Sequence, residues 1–257
     1  MQDYNKEITE IATLRETKGK EKETLEKISV LLPKLIESNQ WKSVAKMYWE
    51  SHLVWQHLVM TELNKTIDVR EKKALEEGTE KMVEYAKKAV EIIEKYRIED
   101  MLGGAYRFLG RAATFTGDHL KAKYYYENAL NSYSGKNLKS KLEVNGFLAE
   151  SLIRLGQNGK GLDLAIKTYD DFYNSDIGKG LKKEDYFTWA VWMSGIAPRT
   201  AAALLDTGAD FDKTRMKAWL IKVEAELTNA TETVKWGDPN FEFRLNEIQT
   251  VVEKLKR

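Results

Sequence analysis

The sequence predicts an all-α fold on three observations. Apolar residues recur at intervals of three and four through most of the chain, only 3 prolines interrupt 257 residues, and lysine and glutamate are frequent in nearly every segment. A β architecture would need turn chemistry about every ten residues, which this chain does not supply. With 42% hydrophobic and 32% charged residues, the composition is that of a globular chain and excludes a disordered one. We read residues 1–257 as a single domain.

The charge balance narrows the partners. Lys+Arg of 41 against Asp+Glu of 40 leaves a net charge of +1, so no bulk field draws nucleic acid or an anionic membrane surface. Cysteine is absent, which excludes disulfides, thiolate metal sites and cysteine nucleophiles together. The first residues, Met1 to Glu7, have neither the basic nor the apolar region of a signal peptide, and no stretch approaches about 18 uncharged apolar residues. The expectation is a cytoplasmic protein without membrane contact.

Taken in order, residues 1–20 are expected to be loosely ordered, and Glu23 to Glu37 to form an N-terminal capping helix bent at Pro33, where a main-chain donor is missing. Trp41 to Leu63 follows as a helix in which Trp41, Tyr48 and Trp55 recur every seven residues beside Val44, Ala45, Leu58 and Val59. Its partner is the helix containing Lys81 to Val90, with Glu77 and Lys81, Glu84 and Lys88, and Glu91 and Lys95 at stabilising spacings on a solvated face. Met101 to Tyr133 is the most regular stretch. A first apolar face of Ala105, Phe108, Leu109, Ala112 and Ala113 yields at Gly117-Asp118 to a second of Ala122, Tyr125, Tyr126, Ala129 and Leu130. Gly117 suits the left-handed end of a helix and Asp118 the cap of the next, so the two helices are antiparallel neighbours.

In this stretch Tyr106, Leu109, Gly110, Ala113, Gly117, Ala122, Tyr126 and Ala129 stand in the order that the tetratricopeptide-repeat pattern requires. The chain resembles that family. Gly110 and Ala122 would let two helices approach, while Tyr106 and Tyr126 fill the space between pairs. Where the family often has a terminal proline, this chain has Ser134. A second copy is read in Leu148, Ala149, Leu152, Gly156, Gly161, Ala165 and Thr168, with the connection between copies extended through Gly135, Lys136 and Asn137. A fourth pair is expected from Asp185 to Met193, broken at Gly195 and Pro198, resuming from Ala201 to Leu205, and closed by Met216 to Leu227. After the turn-rich Trp236-Gly237-Asp238-Pro239, residues 239–257 form a C-terminal capping helix with Phe241, Leu245, Ile248, Val251, Val252 and Leu255 on one face. The resemblance therefore implies a right-handed α-solenoid of about four antiparallel helix pairs with a capping helix at each end.

No catalytic or metal chemistry is predicted. His52 and His57 lie five apart, on different helix faces, and His119 is remote, so metal and cofactor are expected to be none. Gly156-Gln157-Asn158-Gly159-Lys160-Gly161-Leu162 lacks the lysine-then-hydroxyl order and the preceding strand of a phosphate loop, and reads as a helix-to-helix turn. Asp170-Asp171 and Glu76-Glu77 are ordinary in a chain with 40 acids. Asn64-Lys65-Thr66 and Asn229-Ala230-Thr231 match the glycosylation triplet by coincidence. Trp41, Trp49, Trp55, Trp189 and Trp192 could serve as stacking platforms, but core packing is the stronger reading; Trp41 and Trp55 are assigned to it, and Trp49 lies off their stripe and stays open to ligand contact.

The family turns the first helix of each pair toward a concave surface. Carried across, this implies a binding groove of Arg107, Arg111 and Thr114 from one pair and Glu143, Glu150 and Arg154 from the next. Arg107 and Arg111, one helical turn apart, could hold a carboxylate through forked hydrogen bonds, or instead pair with Glu143 and Glu150. The lysine-asparagine carboxylate clamp of chaperone-binding members is not reproduced, since Asn145 and Gly146 stand where its next residues would be sought. The function implied is a non-enzymatic scaffold for a protein or peptide segment, acidic in character. Rival readings are a self-assembling protein using its terminal helices, and an enzyme with an unrecognised active site in the groove.

Overall fold

The computed structural model describes residues 3–17, 19–63, 65–133, 138–231 and 239–256, which are helical throughout apart from turns, with no strand among them. The order is α1 (Asn5–Arg15), α2 (Glu21–Glu37), α3 (Trp41–Leu63), a short 3-10 turn at Ile67–Val69, α4 (Lys72–Lys95), α5 (Glu99–Phe115), α6 (His119–Ser132), α7 (Leu138–Arg154), α8 (Asn158–Asn174), α9 (Asp176–Glu184), α10 (Tyr186–Ser194), α11 (Ile196–Asp206), α12 (Lys213–Thr231) and α13 (Pro239–Lys254). The expected connection at 134–137 and the turn-rich Trp236 to Asp238 lie outside the described residues, as do Asn64 and the side chain of Phe241.

Neighbours in sequence are neighbours in space: α3 packs along α4, α5 along α6 and α7 along α8, and these pairs in turn contact one another through α4 with α5 and α6 with α7. The register of side chains shows that paired helices run antiparallel. Gly103 near the start of α5 faces Tyr133 just past the end of α6, while Gly110 farther along faces Tyr126 farther back. Across α3 and α4, Trp41 stacks on Tyr96 with ring centroids 4.0 Å apart, and Tyr48 meets Tyr85 at 6.3 Å.

One turn recurs at the helix ends. Gly117, at φ +75, lets its own N–H and that of Asp118 donate to the carbonyls of Thr114 and Ala113 at 3.1 and 2.9 Å. The Asp118 carboxylate then accepts from the Lys121 amide at 3.1 Å and starts α6. Gly156 and Gly208 end α7 and α11 with the same pair of bonds, and non-glycine residues, Asn39 and Arg97, take the left-handed position after α2 and α4. α8 begins at Asn158, so the glycine-rich run from Gly156 is a helix stop followed by a helix start.

Burial follows the predicted stripes. Ala122, Tyr126 and Ala129 are fully buried and Leu109 nearly so, whereas Tyr106 is half-exposed and donates its hydroxyl to Glu94 at 3.3 Å. Of the predicted pairs on α4, Glu84 binds Lys88 at 2.6 Å and also Lys81 at 2.8 Å.

Three local readings change. Residues 1–20 were expected to be loose; Asn5–Arg15 form α1, with Tyr4, Ile8 and Ile11 buried against α2 and α3 because that apolar face has a core to enter. The helix expected from Glu23 to Glu37 is present as α2, two residues longer at its start and continuous through Pro33. Trp49, expected to be open, packs on Phe108 at 5.4 Å and over the bare backbone of Gly104, so it belongs to the core. The fourth segment breaks cleanly at Gly195; Pro198 sits buried in the first turn of α11, where a missing N–H is harmless, and an additional helix, α9, precedes it.

The chain also comes back on itself. α11 packs on α7 and α8, and α13 packs on α11 and reaches α3. This return borders a space beside α3, α5 and α7.

Candidate binding cavity

That space is a cavity of about 580 Å3 lined from α1, α3, α5, α7, α11 and α13. On α5 the apolar residues Ala105, Leu109 and Ala112 are spent on neighbouring helices, and the polar stripe facing inward is Arg107, Arg111 and Thr114, flanked by Phe108 and Phe115. α7 presents Glu143, Phe147, Glu150 and Arg154 by the same periodicity. All six residues predicted for the groove therefore line this one cavity.

Most of its charges are matched. Arg107 donates to Glu143 at 2.5 Å, Arg154 to Glu150 at 3.2 Å, and Arg15 to Glu50 at 2.6 Å. Arg154 also reaches Asp206 at 3.3 Å, and Arg244 binds Glu247. Burial works against the charge of Arg107, but the facing Glu143 and its hydrogen bond outweigh it and raise the pKa. Thr114 donates to the Gly110 carbonyl at 3.0 Å and shares a hydrogen bond with the Tyr126 hydroxyl at 2.9 Å, so its hydroxyl is already engaged.

Two arginines are not matched. Among the described residues, neither Arg111 nor Arg199 has a hydrogen bond or a carboxylate at ion-pair distance; each lies over the ring of Phe147, with guanidinium carbons 4.4 and 4.6 Å from its centroid. The Nε of Arg199 is buried with no acceptor. Arg199 and Arg244 crowd together over Gly195: a Cβ on that glycine would lie 2.9 Å from Arg199 Nη2 and 3.2 Å from Arg244 Cζ. Burial first, then Arg244 and Arg111, lower the pKa of Arg199 to about 9. It keeps its charge at neutral pH and holds it in an unfavourable place.

His52 lies below this cluster, fully buried, and its Nδ1 donates to the Met82 carbonyl at 2.9 Å. A carbonyl can only accept, so Nδ1 carries the proton and Nε2 is left without a partner. Burial pushes its pKa down to about 3, with Arg111 and Arg107 adding to the effect.

Sequence reasoning missed Arg15, Arg199, Arg244 and Glu247. One signal was available for Arg199: it is the lone charge in the run from Ile196 to Leu205, where an isolated cation demands a reason. Arg244 and Arg15 carried no such signal. Trp192 lines the cavity, with the Lys139 ammonium 4.2 Å from its ring, whereas Trp189 is buried in the core.

Among the described residues, no cluster of three or more His, Asp or Glu side chains is arranged to hold a metal ion, and no helix is long and apolar enough to cross a membrane. No family model matches the chain, and no curated protein matches it in sequence.

Proposed function

We propose that this chain is a non-enzymatic binding module: a tetratricopeptide-like, right-handed array of about four antiparallel helix pairs whose inner face receives an acidic segment of a protein or peptide. The observation that carries this reading is the state of Arg111. It stands on the first helix of its pair, lines the cavity and, among the described residues, has no carboxylate at ion-pair distance, while Arg107 and Arg154 beside it are neutralised. An acidic group entering from outside would supply the missing partner with charge-assisted hydrogen bonds. The cavity volume, about 580 Å3, suits the end of a peptide or a short segment, not a folded domain. A cytoplasmic location belongs to the same reading.

The rivals draw less support. Self-assembly through the terminal helices would need their apolar faces free, yet Ile8 and Ile11 of α1, and Ile248 and Val251 of α13, are buried within the chain. An enzyme in this cavity would need an acid or base held ready; its glutamates Glu16, Glu143, Glu150 and Glu247 are all engaged with arginines, which leaves His57 and His119 as the lining groups such a reading would have to use.

The test is a fluorescence-anisotropy comparison of acidic, neutral and basic peptides of equal length. Acidic peptides should bind, with affinity falling as salt rises, and Arg111→Ala should cost about 1 to 3 kcal/mol of binding without changing the melting temperature. If acidic peptides bind no better than neutral ones, the reading is lost.

A further inference from the structure

We infer that the acidic group received by this cavity is a compact dianion, a phosphate monoester, seated by Arg111 and Arg199 against the ring of Phe147. This rests on the binding role proposed above and names the chemistry of its ligand.

The argument begins with the matched charges. Glu143 holds Arg107, Glu150 holds Arg154, Glu50 holds Arg15 and Glu247 holds Arg244. After these pairs are formed, two of the arginines that line the cavity, Arg111 and Arg199, are left over among the described residues, and they are neighbours. Both lie over one ring, so their guanidinium carbons are at most about 9 Å apart. A single phosphoryl group can accept forked, charge-assisted hydrogen bonds from two guanidinium groups up to about 8 Å apart, which the pair satisfies when both stand on the cavity side of the ring.

Compactness separates this group from two carboxylates carried on a carbon chain. Arg111 and Arg199 both lie over the ring of Phe147, which gathers the unmatched positive charge at one part of the wall. Three acceptor oxygens on one atom match such a point better than two separated charges do. The guanidinium groups are also placed at a cost: like charges repel at short range in a half-buried space, and the Arg199 Nε has no acceptor. A dianion removes both penalties together. The remainder of the ligand has an apolar wall to meet in Leu53, Met60, Phe108, Phe147 and Ile196.

The proposal is tested with the full chain at constant ionic strength, by calorimetry and melting curves with phenyl phosphate, succinate and benzoate as probes. Phenyl phosphate should bind saturably at one site per chain, and benzoate, which carries one charge, at least about tenfold more weakly. Arg199→Gln and Arg111→Gln should each weaken phenyl phosphate by at least about tenfold; using both keeps the test decisive if one variant folds poorly. Tighter binding of succinate than of phenyl phosphate would overturn the phosphoryl assignment. Equal binding of benzoate and phenyl phosphate would overturn the dianion. If acidic peptides bind in the cavity but phenyl phosphate does not, this inference falls and the binding role stands; if neither binds, both fall.

Discussion

A Cβ placed on Gly110 would lie 2.3 Å from Cε1 of Tyr126, so these two residues set how closely α5 and α6 approach. Tyr126 is fully buried, and its ring is stacked against Phe147 of α7 at 5.7 Å, so it has nowhere to retreat. The contact joins three helices through one ring. It also supports the cavity, because the Tyr126 hydroxyl holds Thr114 and Phe147 carries the two unmatched arginines.

Gly110→Ala should therefore destabilise the chain by about 1 to 3 kcal/mol, although alanine is the better helix former, because overpacking outweighs propensity at a close contact. Urea denaturation of the variant against the parent measures this. A variant as stable as the parent would mean that α5 and α6 can separate without loss.

His52 makes stability depend on acid. Its folded-state pKa of about 3 lies below the ordinary value of 6.5, so between those limits the unfolded chain binds a proton that the folded chain refuses. The stabilisation is complete above pH 6.5 and declines as the pH falls, by about 1.4 kcal/mol per pH unit while the window lasts. His57, whose pKa is lowered first by burial, acts in the same direction. Comparing denaturation midpoints at pH 7 and pH 5, the His52→Gln variant should lose less stability than the parent. Identical losses would show that His52 is not held neutral.

Arg199→Met should raise the unfolding free energy of the ligand-free chain by about 1 kcal/mol, because it removes a half-buried cation without a partner while keeping an unbranched stem on the Phe147 ring. Calorimetric melting decides it. A gain would mark Arg199 as kept for binding at the expense of stability, and a loss would mean that its charge is satisfied within the fold.

Much of this protein was legible in local sequence. The stripe of α5, the glycine stops at Gly117 and Gly156, the cap at Asp118 and the close approach at Gly110 each depend on residues within one or two helical turns, and the period of 3.6 places them without knowledge of the rest. The resemblance to tetratricopeptide repeats, not the periodicity, implied that Arg107, Arg111, Thr114, Glu143, Glu150 and Arg154 face one groove, and they share one cavity. What periodicity cannot report is which distant helix arrives opposite a face. Glu143 neutralises Arg107, while α7 meets Arg111 with the ring of Phe147 and, among the described residues, no carboxylate comes within ion-pair distance of it; and Arg199 and Arg244 join the site only because α11 and α13 fold back toward α7 and α3. The helices and their inner faces were determined by the sequence itself, since each is set by short-range sterics and hydrogen bonding. Which charges remain unmatched was decided by tertiary structure alone, since that balance is a sum over side chains brought together from opposite ends of the chain.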